Sequence, residues 1–239
     1  MDKQDFYKKM DDYSSLIQLK LNEKQKEQFF NYMNLLLEWN EKINLTAIIE
    51  PEEIILKHFI DSITISKYIK ENSYIADIGT GAGFPGIPLK ILREDVKIVL
   101  VDSLNKRVNF LNEVINKLDL KNIIALHSRA EEFGQNKEYR EMFDIVTSRA
   151  VANLSTLSEY LIPLTKIQGK CLCMKGPGAE EEIDKAKNAI KILGGTISNT
   201  YSFNLPKSDI ERIIVEIKKV SNTNSKYPRK AGMPAKEPL

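Results

Sequence analysis

The residues best placed to do chemistry in this 239-residue chain lie in the run Asp77-Ile78-Gly79-Thr80-Gly81-Ala82-Gly83-Phe84-Pro85-Gly86. It follows an apolar stretch and precedes PGIPLKIL, which is compatible with a helix. Glycine lets a chain turn sharply and removes side chains that would keep a ligand off the backbone. Amides opening the next helix add donors and a partial positive charge. Asp102 ends the next apolar run, 19 residues past Gly83, and its carboxylate can accept both hydroxyls of a ribose. Capping of the helix that follows is its structural alternative. Arg129-Ala130-Glu131 and Ser148-Arg149-Ala150 close two further apolar runs. An arginine at a strand's carboxyl end, facing a crevice, is better placed for a ligand than for packing.

Two ligand patterns overlap in the glycine run. Gly81, Gly83 and Gly86 satisfy the dinucleotide pattern G-x-G-x-x-G, which alone is weak. Asp77 to Gly83 also satisfies D-x-G-x-G-x-G, which resembles the first motif of methyltransferases that use S-adenosylmethionine (SAM). SAM carries a sulfonium cation, an amino acid group and an adenosine, with no pyrophosphate. An acidic residue beside the loop suits that ligand and opposes a pyrophosphate, so the second pattern is favoured. In that reading Ala130 and Glu131 stand where the adenine is usually held. No Asn/Asp-Pro-Pro-Tyr/Phe follows the fourth apolar run, so the motif used for exocyclic amines is missing. Cys171 and Cys173 share one strand face and read as buried small hydrophobes rather than nucleophiles. His127 reads equally as a base or a hydrogen-bonded bystander. An atom that is already nucleophilic, such as guanine N7, needs no strong base; its methylation rests on alignment and the handling of charge.

These residues need a scaffold, and the sequence supplies one in two styles. Up to about residue 70 it reads as helices alone. Phe6, Met10, Tyr13 and Ile17 form one apolar stripe, and Asn22 with Gln25 makes a capping pair for a second helix that ends near Trp39. A third helix is expected after Pro51, with Ile55, Phe59 and Ile63 inward. Five strand-like runs follow, at 74–79, 97–103, 123–128, 143–151 and 170–176, alternating with amphipathic segments. That alternation implies a mostly parallel sheet covered by helices. The last two runs, 196–205 and 211–220, have only a short loop between them and form an antiparallel hairpin. The fold expected is therefore α/β and Rossmann-like: a seven-stranded, mostly parallel sheet with an antiparallel C-terminal hairpin, as in class I SAM-dependent methyltransferases. Residues 1–70 form an N-terminal helical extension, 71–220 the SAM-binding domain and 221–239 a tail.

Composition narrows the class. With 42% hydrophobic and 28% charged residues the chain is ordinary for a globular fold, and its net charge of +2 argues against coating nucleic acid by bulk charge. The tail 221–239 alone carries +3, from Lys226, Arg229, Lys230 and Lys236 against Glu237. It reads either as a solvated terminus or as an arm that contacts phosphates. No apolar run approaches the ~20 residues of a membrane span, and MDKQDFYKKMDD lacks the apolar core of a secretory signal, which makes the cytoplasm the expected location. Two cysteines and two histidines are too few for the usual structural zinc site, so no metal is expected.

Beyond the glycine run, WNEKINLTAI (39–48), KHFIDS (57–62), DSLNKRVNFL (102–111), SRAEEF (128–133), SRAVANL (148–154) and KYPRKAGMPAKEPL (226–239) carry a more specific likeness. Together with DIGTGAGFPGIPLKI (77–91) they resemble the ribosomal small-subunit RNA methyltransferase G family, also called glucose-inhibited division protein B. The resemblance runs nearly end to end. It implies methyl transfer from SAM, leaving S-adenosylhomocysteine, to N7 of a guanine in the 530-loop region of 16S ribosomal RNA. It implies that rRNA or the small ribosomal subunit is the partner, with no membrane and no obligate protein partner. It places Gly79 and Phe84 on the SAM loop, Ala130 and Glu131 beside the adenosine, and Arg149 at the cofactor or the target, where it would position or act electrostatically. Asp77, Gly81 and Asp102 join these from the physical reading. His58, Asp61, Arg229 and Lys230 are candidates on the substrate side. A methyltransferase for another RNA atom or a protein, a nicotinamide-dependent oxidoreductase and a non-catalytic RNA-binding protein remain the alternatives.

Overall fold

A computed structural model describes residues 1–239. Helix α1 (Lys3–Leu16) is capped by Asp2, whose carboxylate accepts the Asp5 N–H at 2.9 Å. In α2 (Glu23–Asn40) the expected capping box is present: Asn22 and Gln25 exchange side-chain-to-backbone bonds at 2.8 and 2.9 Å. The third helical stretch is less regular than its sequence suggests. It begins as α3 (Pro51–Glu53), widens into a π-helical segment (Ile54–Ile60), returns as α4 (Asp61–Ile63) and tightens into a 3-10 turn (Thr64–Tyr68). π-Helical insertions often accompany functional sites, and this one carries His58.

The sheet contains β1 (Tyr74–Ile78), β2 (Lys97–Asp102), β3 (Ile123–His127), β4 (Phe143–Arg149), β5 (Thr165–Lys175), β6 (Gly195–Asn204) and β7 (Glu211–Lys219). Their order is β3-β2-β1-β4-β5-β7-β6. The first five are parallel, and β7 enters antiparallel between β5 and β6. The connecting helices are α5 (Gly86–Leu92), α6 (Asn105–Lys117), α7 (Ala130–Gln135), α8 (Leu154–Leu161) and α9 (Ala179–Ile192). Strand β5 starts at Thr165, earlier than the apolar run at 170–176: Thr165 pairs with Phe143, residues 166–169 bulge out with Gln168 in the left-handed region, and pairing resumes at Lys170 opposite Ile145.

Period-two alternation sends each strand's side chains to two separate cores. Ile75, Ile98, Leu100, Leu172 and Ile214 join the N-terminal helices and α5–α6, whereas Ala76, Val99, Val101, Cys171, Cys173 and Val215 face α8 and α9. The two cysteines are thus packed hydrophobes. Burial pushes both thiols up, that of Cys171 to about 11. The N-terminal helices share the first core without a break, through Phe6, Met10, Phe29, Tyr32, Leu36 and Phe59.

The C-terminal tail corrects one reading. It is docked on the domain rather than solvated, with Lys226, Lys230 and Lys236 left exposed. Arg229 binds the buried carboxylate of Glu159 in α8 through three contacts of 2.7–3.1 Å, and its own N–H adds a fourth at 2.7 Å. Thr156 donates to Pro234 O at 3.0 Å, Tyr227 is buried, and α10 (Met233–Lys236) closes the chain. Arg229 is therefore engaged internally, whereas Lys230 stays exposed. Proline-rich sequence hid this, because the tail packs by specific polar bonds rather than by an apolar period.

Candidate active site

Between β1 and β4 the strand order reverses direction, and open α/β sheets place their ligand crevice at such a point. A cavity of about 790 Å3 lies there, lined by Gly79, Gly81, Phe84, His58, Asp61 and Arg149 among others. Six positions singled out in the sequence thus meet in one place, drawn from the π-helical segment, the start of α4, the glycine loop and the end of β4.

The loop is shaped from below. Gly79, Gly81 and Gly83 have φ of +68°, +62° and +99°, a region costly for other residues. A Cβ on Gly83 would sit 2.7 Å from the Tyr32 hydroxyl, whereas one on Gly81 would meet nothing within 4 Å. Gly81 therefore leaves open a space that a ligand can enter. Tyr32, from α2, donates to the Ala82 carbonyl, so the N-terminal helices hold the loop directly. Burial drives the Tyr32 phenol well above its usual range, fixing it as a donor.

Two carboxylates occupy the loop's amides. Asp77 Oδ2 accepts from Thr80 Oγ1 at 2.7 Å and from Gly86 N at 2.9 Å. Asp102 accepts from Gly81 N and Leu104 N, each at 2.9 Å, and lies 3.4 Å from Arg107. The N–H groups of Gly81 and Gly86 are thus already bonded to anions, which argues against the dinucleotide reading. Asp102, at the carboxyl end of β2, thus ties the glycine loop to Leu104, the residue before α6, without capping that helix. Burial, partly opposed by its two hydrogen bonds, pushes the Asp77 carboxyl up to about 6.

Three buried side-chain atoms in the chain lack a hydrogen-bond partner: Asp61 Oδ1, Asp77 Oδ1 and Arg107 Nε. Asp61 and Arg107 line the cavity, and Asp77 underlies its glycine loop. Buried polar atoms are almost always paired, so a cluster of orphans at one cavity points to a polar ligand. Two of the three are acceptors, which suits a donor-bearing cation.

The opposite wall is rich in positive charge. Arg149 donates to Asp61 Oδ2 at 3.2 Å, to the carbonyls of Lys57 and His58, and to Ser62 Oγ at 3.3 Å, and its guanidinium lies 5.0 Å from the Phe84 ring centroid. Arg212, on β7, shares Asp61 Oδ2 at 3.0 Å. His58 stacks on Phe84, with centroids 4.4 Å apart and planes 14° off parallel. Burial, then the nearby Arg149 charge, lowers the His58 imidazole to about 3, so it is neutral at physiological pH. Sequence reasoning missed Thr46, Arg107, Lys175, Glu182 and Arg212. WNEKINLTAI and DSLNKRVNFL contained the first two, but nothing local marks Arg212, which lies 151 residues from its partner Asp61.

Other candidates lie elsewhere. Glu131 is buried and its carboxylate accepts from Gly232 N at 2.8 Å, so that side chain faces the tail. Ala130 opens α7 beside it. His127 bonds the Ser103 carbonyl at 3.0 Å on the exposed surface, as a bystander would.

Comparison with known proteins agrees with this architecture. The family model described as "GidB: rRNA small subunit methyltransferase G" matches residues 25–211. The chain is 57% identical over 221 residues to a ribosomal RNA small subunit methyltransferase G of Desulforamulus reducens, covering 92% of each chain. It is 48% identical over 236 residues to one of Clostridium novyi, covering 98% of this chain and 97% of that one. Among solved structures it resembles a SAM-dependent methyltransferase from Aquifex aeolicus, with TM-score 0.52, 20% identity and coverage of 76% and 97%. It also resembles M. jannaschii TYW2 in complex with AdoMet, with TM-score 0.54, 14% identity and coverage of 67% and 75%. Those two likenesses concern the fold. No helix is long and apolar enough to cross a membrane.

Proposed function

The chain belongs to the rRNA small subunit methyltransferase G family, and from that premise we propose that its cavity transfers the SAM methyl group to N7 of a guanine in the 530-loop region of 16S rRNA. The observation that carries the reading is the pair of orphaned acceptors, Asp77 Oδ1 beneath a glycine loop whose Gly81 and Gly86 amides already serve carboxylates and Asp61 Oδ1 on the facing wall. With the Gly81 and Gly86 amides already bonded to carboxylates, the loop offers acceptors for a cation. Asp77 fits the ammonium of SAM, the open face of Gly81 its passage along the backbone, Asp102 the ribose, and the backbone of Ala130 and Glu131 the adenine. In the same proposal residues 1–70 are the helical extension, 71–220 the SAM-binding domain and 221–239 the tail.

SAM supplies a methyl group on a positively charged sulfur. The N7 lone pair forms the new N–C bond as the S–C bond breaks, and its electron pair stays on sulfur. Positive charge moves from sulfur to the base, and no proton leaves. The residues match that requirement. His58 is neutral and bonded at both nitrogens, and the cysteines are buried, so neither a base nor a nucleophile is poised. What the chain contributes is alignment and electrostatics. The stacked His58–Phe84 pair offers a flat surface for a base, while Arg149, Arg212, Arg107 and Lys57 supply charge for phosphate. Labelled methyl transfer from SAM to 16S rRNA or to small subunits, followed by mapping of the modified nucleotide, tests this. Label at guanine N7 is expected; label in protein, or none in RNA, refutes it.

A further inference from the structure

Thr46 follows α2 in a loop that Asn40 fixes: its Oδ1 accepts the N–H groups of Leu45 and Thr46 at 2.8 and 2.9 Å. The Thr46 hydroxyl lines the cavity, and its bonding can be worked out completely. Ile48 N–H donates to Thr46 Oγ1 at 3.0 Å. His58 Nε2 lies 2.9 Å from the same oxygen. Arg149 Nη2 lies 3.3 Å from His58 Nδ1, and a guanidinium has only donors. His58 Nδ1 must accept, so the neutral ring carries its proton on Nε2 and donates it to Thr46. Both lone pairs of the hydroxyl are then filled, and its own proton has no acceptor in the chain.

A serine or threonine hydroxyl ordinarily donates or accepts as its neighbour requires, and so distinguishes carbonyls from amines poorly. Arg149 and His58 remove that freedom. Building on the proposed guanine-N7 reaction, we propose that Thr46 is a specificity residue whose hydroxyl, locked as a donor, binds O6 of the target guanine. On the edge that carries N7, guanine presents only the acceptors O6 and N7, whereas adenine presents an amino group in place of O6. N7 must keep its lone pair for the methyl group, which leaves O6 for the hydroxyl. Adenine in the same pose would set an N–H against an O–H.

The test compares methylation of two otherwise identical RNAs, one with guanine and one with 2,6-diaminopurine at the target position. Diaminopurine keeps N7 and the 2-amino group but exchanges O6 for an amine. Wild-type protein is expected to prefer guanine by 100-fold or more in kcat/KM. Thr46→Val should lower kcat/KM on guanine at least 10-fold and leave diaminopurine nearly unaffected, and Thr46→Ser should restore the preference. Because the comparison is a ratio within one variant, a reduced folded fraction in Thr46→Val cancels. Undiminished preference in Thr46→Val overturns the proposal while leaving guanine-N7 methylation intact. Absence of N7 methylation by the wild type overturns both together.

Discussion

Replacing Asp77 by Asn is expected to make the ligand-free protein more stable and a worse enzyme. The Asp77 side chain is fully buried, with Oδ2 bonded to Thr80 and Gly86 and Oδ1 unpaired. Burial pushes its carboxyl from 3.8 to about 6. The native state therefore holds this proton more tightly than the unfolded chain. Stability from this group is fully present at low pH and is lost as pH rises from about 4 through 6. At 1.36 kcal/mol per tenfold, the loss is about 3 kcal/mol above pH 7. Asparagine has the same shape and cannot ionise. The variant should match the wild type near pH 4 and exceed it by about 3 kcal/mol at pH 7.5, or roughly 6–12 °C in Tm for a chain of this size. SAM is a cation and selects the ionised form, so wild-type affinity should rise with pH up to about 6 and then level off. The variant should bind at least 10-fold more weakly at pH 7.5, with no such rise. Urea unfolding and calorimetry at pH 4 to 8 measure both. A stability difference that does not change with pH, or equal SAM affinity at pH 7.5, refutes the reasoning.

Asp102→Ala frees the N–H groups of Gly81 and Leu104 and removes a ribose acceptor; at about 1.5–3 kcal/mol per charged bond, SAM affinity should fall at least ~10-fold, and calorimetry showing no change rejects the role. Arg149→Ala should abolish turnover in the methyl-transfer assay, and because it also releases Asp61 and two carbonyls of the π-helical segment, its Tm should fall as well; normal methylation by the variant removes Arg149 from the site. Arg229→Ala strands the buried Glu159 carboxylate and should cost about 2–4 kcal/mol in urea unfolding, whereas Glu159→Gln in the same background should recover much of that loss; a change below ~0.5 kcal/mol would show that the tail is not held by this pair.

The sheet and the glycine loop were legible because local patterns specify them: apolar alternation, a capping box at Asn22 and Gln25, glycines where φ must be positive. The meeting of His58, Asp61 and Arg149 was legible only as separate motifs; it takes the β1–β4 crevice and the π-helical segment to join them. Arg212 was invisible because its site role arises from β7 inserting beside β5. The roles of Asp102 and Glu131 show a different limit. Sequence marks a carboxylate near a ligand, but one carboxylate faces the glycine loop and the other the tail, according to how each strand end turns. Tyr32 read as core, and it is core, yet its hydroxyl also grips Ala82.

The docked terminus has a consequence for biosynthesis. Glu159 is translated seventy residues before Arg229 neutralises it, and Leu239, which packs against the α8–α9 side, follows ten residues later. A chain released prematurely would leave that acid stranded and α8 uncovered, an open invitation to proteases. The nascent product is safe there only once residues 226–239 have emerged and docked.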